Sequence, residues 1–155
     1  MYSKILVAYN GSPESRHALQ ECIRLNPGPA AEIHLLVVTT PQPVVIAADF
    51  AVAAFYNADQ EKAERHAMEL VLESGMTLLR EAGLRVINHL EIGEPVDVIS
   101  DMANRLGVEL VIVGHSSRKP FAARWWRGSM DAMLMEKLRC SMLIASEPQS
   151  AARRG

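Results

Sequence analysis

The chain has 155 residues, enough for one domain with a substantial core and too few for a comfortable second one. Hydrophobic residues make up 49% and charged residues 22%, which excludes a disordered, collagen-like or disulfide-stapled chain. Sixteen Lys plus Arg against eighteen Asp plus Glu leave a net charge of -2, so no overall positive field draws nucleic acid and no such partner is expected.

At the amino end, MYSKILVAYNGSP has one lysine and an apolar run too short for a signal-peptide core or a membrane span. A cytoplasmic protein with no membrane partner is the expectation. Lys4 to Tyr9 reads as a buried strand, because Ile5, Leu6, Val7 and Ala8 are continuous rather than alternating. Asn10, Gly11 and Ser12 turn the chain, with Ser12 capping a helix that Pro13 opens. Ala18, Leu19, Cys22 and Ile23 supply its apolar side, and the run from Asn26 to Pro29 ends it.

Glu32 to Thr39 gives a second strand, stopped by Pro41 and Pro43. From about Asp49 to Ala82 the pattern is helical, with Ala63, Ala67, Leu70, Val71, Met76, Leu78 and Leu79 on the expected inner face and Gly75 interrupting it. Leu84 to Leu90 is a third strand. Pro95 opens a helix through Leu106, closed by Gly107, and Leu110 to Val113 is a fourth strand. Ser129 is expected to cap a last helix carrying Met130, Met133, Leu134 and Leu138, before a fifth strand from Ser141 to Ala145. Cys22 and Cys140 have no metal-ligand spacing and read as two small buried hydrophobes, not a disulfide.

Strands separated by helices predict right-handed crossovers and a mostly parallel sheet covered on both faces, an α/β fold. Ligands of such sheets bind beyond the carboxyl ends of the strands, near the point where strand order reverses. The loops to search therefore begin at Asn10-Gly11-Ser12 and at Gly114-His115-Ser116-Ser117.

The opening KILVAYNGSPES, the GEPVDVI segment, the VIVGHSS turn and the closing GS before a helix and CSMLIA together resemble the universal stress protein family. The resemblance covers residues 1–147 as one domain and leaves 148–155 as a loose tail. It implies a three-layer sandwich with a five-stranded parallel sheet ordered 3-2-1-4-5, the adenine nucleotide alpha hydrolase-like fold. Self-association through the last strand is also implied.

Members that bind ATP or another adenine nucleotide carry an acid where Asn10 stands. They also carry Gly, two residues, Gly, nine residues, Gly, then Ser or Thr. Here Gly114, Gly128 and Ser129 match, Ser117 replaces the internal glycine, and one extra residue precedes Gly128. The implied ligand is ATP or a related adenine nucleotide with magnesium accompanying its phosphates, and Val38 and Thr39 would line the adenosine side. The alternative is a homodimeric stress protein without nucleotide that docks a protein client.

The residues' own chemistry supports a ligand. Gly114 permits close backbone approach, Ser116, Ser117 and Ser129 can donate to phosphate oxygens, and the amides of Ser129 and Met130 at a helix start favour an anion. His115, Arg118, Lys119, Arg124 and Arg127 add donors. Asn10 suits a ribose hydroxyl or base edge, with Gly11 allowing close passage; the same residues also make an ordinary turn and cap. His115 reads as a phosphate or ribose contact, as loop packing, or as an acid-base group, though no acidic orienter shows in the sequence. Trp125 and Trp126 suit packing, a dimer contact or base stacking. No catalytic set and no metal-ligand cluster emerge; at most slow nucleotide hydrolysis is expected.

Overall fold

In the computed structural model, which describes residues 1–40, 50–115 and 128–147, strands and helices alternate. They run β1 (Lys4–Ala8), α1 (Pro13–Leu25), β2 (Glu32–Thr39), α2 (Phe50–Glu81), β3 (Arg85–Ile92), α3 (Pro95–Leu106), β4 (Leu110–His115), α4 (Gly128–Lys137) and β5 (Ser141–Ser146). Each neighbouring pair is parallel, and the sheet order is β3-β2-β1-β4-β5, as the resemblance implies. Ile5 of β1 pairs with Ile33 on one side and Leu110 on the other, which puts β1 at the centre.

Alternation along the strands builds two cores. Ile5, Val7, Tyr9, Ile33, Leu35 and Ile112 meet Ala18, Leu19 and Cys22 of α1 and Leu72 and Leu79 of α2. Leu6, Ala8, Leu36, Val38, Val111 and Val113 face Ile99, Met102 and Ala103 of α3 and Met130 and Leu134 of α4. Both faces being covered explains why the central strands read as unbroken apolar runs.

α2 continues through Gly75. A Cβ there would stand 2.8 Å from Cδ1 of Tyr9 and 3.0 Å from Cδ2 of Leu35. Glycine's helix penalty of about 1 kcal/mol is thus exchanged for close seating of the helix on the sheet. The inner face differs in part from expectation: Leu79 is buried and Val71, Met76 and Leu78 pack against the core as expected, but Ala63, Ala67 and Leu70 are exposed, and Leu72 and Gly75 are buried. Helical phase explains this: Met68, Leu72, Gly75 and Leu79 recur at spacings of four, three and four and seat on the sheet, which turns positions 63 and 70 to the far side of the helix.

Ser12 caps α1 as expected, its hydroxyl accepting from the Ser15 amide at 3.1 Å. α4 begins at Gly128, which puts Ser129 inside its first turn and not at the cap, a one-residue shift of a helix end. Lys137 of α4 reaches Asp97 of α3 at 2.5 Å and ties the two helices together. Both cysteines are free; burial pushes the Cys22 thiol up to about 12 and raises that of Cys140. No helix among the described residues is long and apolar enough to cross a membrane. The tail 148–155 lies outside the described residues.

Gly114, near the end of β4, meets the first turn of α1. A Cβ at this position would stand 2.0 Å from the Glu14 carbonyl oxygen and 3.0 Å from Cα of Ser15. Both obstacles are backbone, so relief requires the helix to move. Gly114→Ala is expected to destabilise the fold by about 3 kcal/mol, the upper end of ordinary overpacking. Urea unfolding with an unchanged m-value would measure it; a loss below about 1 kcal/mol would mean that α1 can shift freely.

Candidate functional site

The turn after β1 is built from side-chain hydrogen bonds. Asn10 Oδ1 accepts from the Ser12 amide at 3.0 Å and from the Ser15 hydroxyl at 2.7 Å, while Ser15 Oγ accepts from the Asn10 amide at 3.2 Å. Ser15 is fully buried and was not legible as a site residue, although a serine three positions after an N-cap is a signal worth reading. The bond from the Ser12 N–H fixes which end of the Asn10 amide is oxygen. Its Nδ2 then has no partner among the described residues, so the turn presents a donor where a carboxylate would present a charge. Gly11 takes φ +82, and a Cβ on it would lie 3.2 Å from Cγ2 of Val71 in α2. Its close approach is therefore to a helix.

The same first turn of α1 joins this loop to β4, because Ser15 holds Asn10 through its hydroxyl and lies against Gly114 through its Cα. The sequence assigned Gly114 to close approach of a ligand; one side of it is occupied by α1. His115 follows on the opposite face and closes β4, beside Ser146 of β5. Its Nδ1 lies 3.1 Å from Asp131 Oδ2, and the side chains are 30% and 13% exposed. The missing acidic orienter is thus Asp131, in the first turn of α4. Its signal was an acid three residues after Gly128, visible only once α4 is placed against the end of β4.

Burial pushes the Asp131 carboxyl above its ordinary value, and the His115 imidazole pulls in the opposite direction. An imidazole bound through Nδ1 to a carboxylate has its tautomer and plane set, which leaves Nε2 as the group with chemistry to offer. The first amides of α4, at Gly128, Ser129 and Met130, have no acceptor within the helix. Met130 sends its side chain into the core, 4% exposed, so only its backbone is available. Ser117, the basic residues 118, 119, 124 and 127, and the tryptophans at 125 and 126 lie outside the described residues.

At the end of β2 the two expected residues part company. Val38 is buried against α3 and α4, 3% exposed, whereas Thr39 points to the α2 side. There Thr39 and Thr40 line a cleft of about 760 Å³ with Lys62 and Arg65 of α2 and Leu90 and Ile92 of β3. That volume suits a small organic ligand. Thr39 and Gly114 sit on strands separated by β1, two strand spacings or about 10 Å apart, with the Asn10 turn between them. Anion-seeking amides thus stand at one end of a short span and a partly apolar cleft at the other. Among the described residues, no group of three or more His, Cys, Asp or Glu could hold a metal ion.

Comparison with known proteins agrees with this architecture. A universal stress protein of Synechocystis sp. is 27% identical over 150 residues, 92% of this chain and 97% of its own. The solved structure of hypothetical protein MJ0577 superposes with a TM-score of 0.76 at 23% identity, covering 97% of this chain and 99% of that one. A universal stress protein family protein from Arabidopsis thaliana, solved with AMP bound, superposes with a TM-score of 0.66 at 19% identity, covering 94% of this chain and 92% of that one. The sequence pattern of the universal stress protein family matches residues 1–146, nearly the whole length, and the chain belongs to that family.

Proposed function

We propose that this protein binds an adenine nucleotide, ATP in the fullest reading, across the carboxyl edge of its sheet, as a regulatory rather than a rapidly catalytic protein. The observation that carries the reading is His115, at the end of β4, held 3.1 Å from Asp131 in the first turn of α4, a helix whose first amides have no acceptor within it. Phosphates would lie at the helix start, where aligned amides and the helix dipole favour negative charge. Ser129 would add its hydroxyl, and Ser117 with the neighbouring basic residues would add donors from the loop. The ribose and base would extend past Asn10 toward Thr39. The AMP held by the Arabidopsis relative supports the ligand class. Magnesium would arrive with the phosphates and keep mostly phosphate and water ligands, as this hard cation prefers.

His115 is oriented like a general base, but it lacks a nucleophile beside it among the contacts described. Slow hydrolysis is the most that this arrangement supports. Titration calorimetry with ATP, ADP and AMP is expected to show saturable binding to the wild-type chain. Asn10→Ala should weaken it about tenfold, the worth of one hydrogen bond at about 1.4 kcal/mol. Absence of heat with all three nucleotides would reject the proposal.

A second reading, an interaction protein without nucleotide, draws on a different observation. Asn10 Oδ1 is already spent on Ser12 and Ser15, and Gly114 is covered by α1. In this reading β5, at the sheet's edge with Ile144 39% exposed, pairs with a second copy or a client. Ile144→Lys is then expected to shift sedimentation toward the monomer while leaving the fold intact; an unchanged sedimentation coefficient would count against pairing through this edge.

A further inference from the structure

Away from the carboxyl edge, the sheet carries two histidines in contact. His34 of β2 and His89 of β3 sit on the same face, offset diagonally, since His89 pairs with Leu36 and His34 with Ile87. Nδ1 of His34 lies 2.9 Å from Nε2 of His89, with ring centroids 5.2 Å apart and planes 27° from parallel. His34 is 5% exposed, and its Nε2 is buried without a hydrogen-bond partner. Glu32 Oε2 lies 3.7 Å from that nitrogen, and Glu32 is in turn 3.6 Å from Arg85.

This geometry selects one proton arrangement. If His34 donated from Nδ1, its Nε2 would be bare and would turn a lone pair toward a carboxylate. If His89 donates from Nε2, His34 carries its proton on Nε2 and directs it toward Glu32. The second arrangement is the stable neutral form. A first added proton goes to His89 Nδ1 and strengthens the bond, because the donor becomes charged. A second proton can enter only at His34 Nδ1, which is the acceptor. Two N–H groups then face each other across 2.9 Å, and the bond is lost.

We propose that the His34–His89 pair is an acid-sensitive clasp between β2 and the edge strand β3, kept closed with no added proton or one and opened by the second. The surrounding charges come from every packed element: Lys4 of β1 and Arg105 of α3 oppose protonation, while Glu32 of β2 and Glu91 of β3 favour it. Arg85 moderates Glu32. Burial is the largest influence on both imidazoles and holds each below the ordinary value of 6.5. The unfolded chain therefore takes protons first. Stability is full above about pH 6.5 and falls as the pH drops below it. Opening loosens β3, which ends in Leu90, Glu91 and Ile92 on the wall of the cleft.

The test is NMR of the full chain between pH 8 and pH 4.5, following imidazole ring signals and amide exchange in β3, corrected for intrinsic rates and referred to β1. The solvent-facing His66, 74% exposed, is the reference signal. The expected result is a coupled, two-step titration of His34 and His89. β3 exchange should hold through the first step and rise at least tenfold through the second. His89→Gln can donate to neutral His34 and, by turning its amide, accept from His34 once that ring is protonated, and should remove the rise. Independent single-step titrations of the two rings would overturn the proposal, as would a rise that survives in His89→Gln. Should His89→Gln not fold, the wild-type titration alone decides between these outcomes.

Discussion

The contact between Gly114 and the first turn of α1 governs the rest of the carboxyl edge. Glu14's carbonyl occupies the space that any side chain at 114 would need. Because the backbone of α1 comes that close to β4, Ser15 is buried where its hydroxyl can hold Asn10, and the turn after β1 is set against the end of β4. The stretch from Asn10 to Ser15 and the end of β4, distant in sequence, thereby share one platform. The glycine does not loosen the chain here; it brings two backbones into register.

Charge at this platform is balanced at short range. The start of α4 favours an anion by about 0.3–1 kcal/mol, and Asp131 in its first turn already draws on that preference. His115 stands against the carboxylate at 3.1 Å and supplies a compensating donor. A phosphate approaching the amides would meet a paired acid and not a bare one. Asn10 makes the same accommodation on the other side, presenting nitrogen in place of charge.

The fold was legible because its central strands are buried on both faces and announce themselves as runs such as Ile5 to Ala8 and Leu110 to Val113. Caps at Ser12 and Gly107 marked helix ends through local chemistry alone. Where packing partners decide, local pattern failed. The inner face of α2 was misplaced at Ala63, Ala67 and Leu70, since the helix turns the stripe of Met68, Leu72, Gly75 and Leu79 to the sheet and a broad scatter of apolar residues did not single out that stripe. Asp131 beside His115, Ser15 beneath Asn10 and His34 against His89 all depend on element placement, and no spacing encodes them. Thr39 and Val38 were read as a pair, yet strand alternation sends them to opposite faces.

The burial of Cys22 bears on how such a protein meets oxidants. Peroxides and disulfide reagents attack thiolates, and a sulfhydryl pushed up to about 12 in the interior under α1 supplies almost none at neutral pH. Cys140 is shifted in the same direction by its own partial enclosure. The Cys22 sulfur is shielded by the packing that stabilises the sandwich, so its attack by oxidants is suppressed for as long as the chain stays folded.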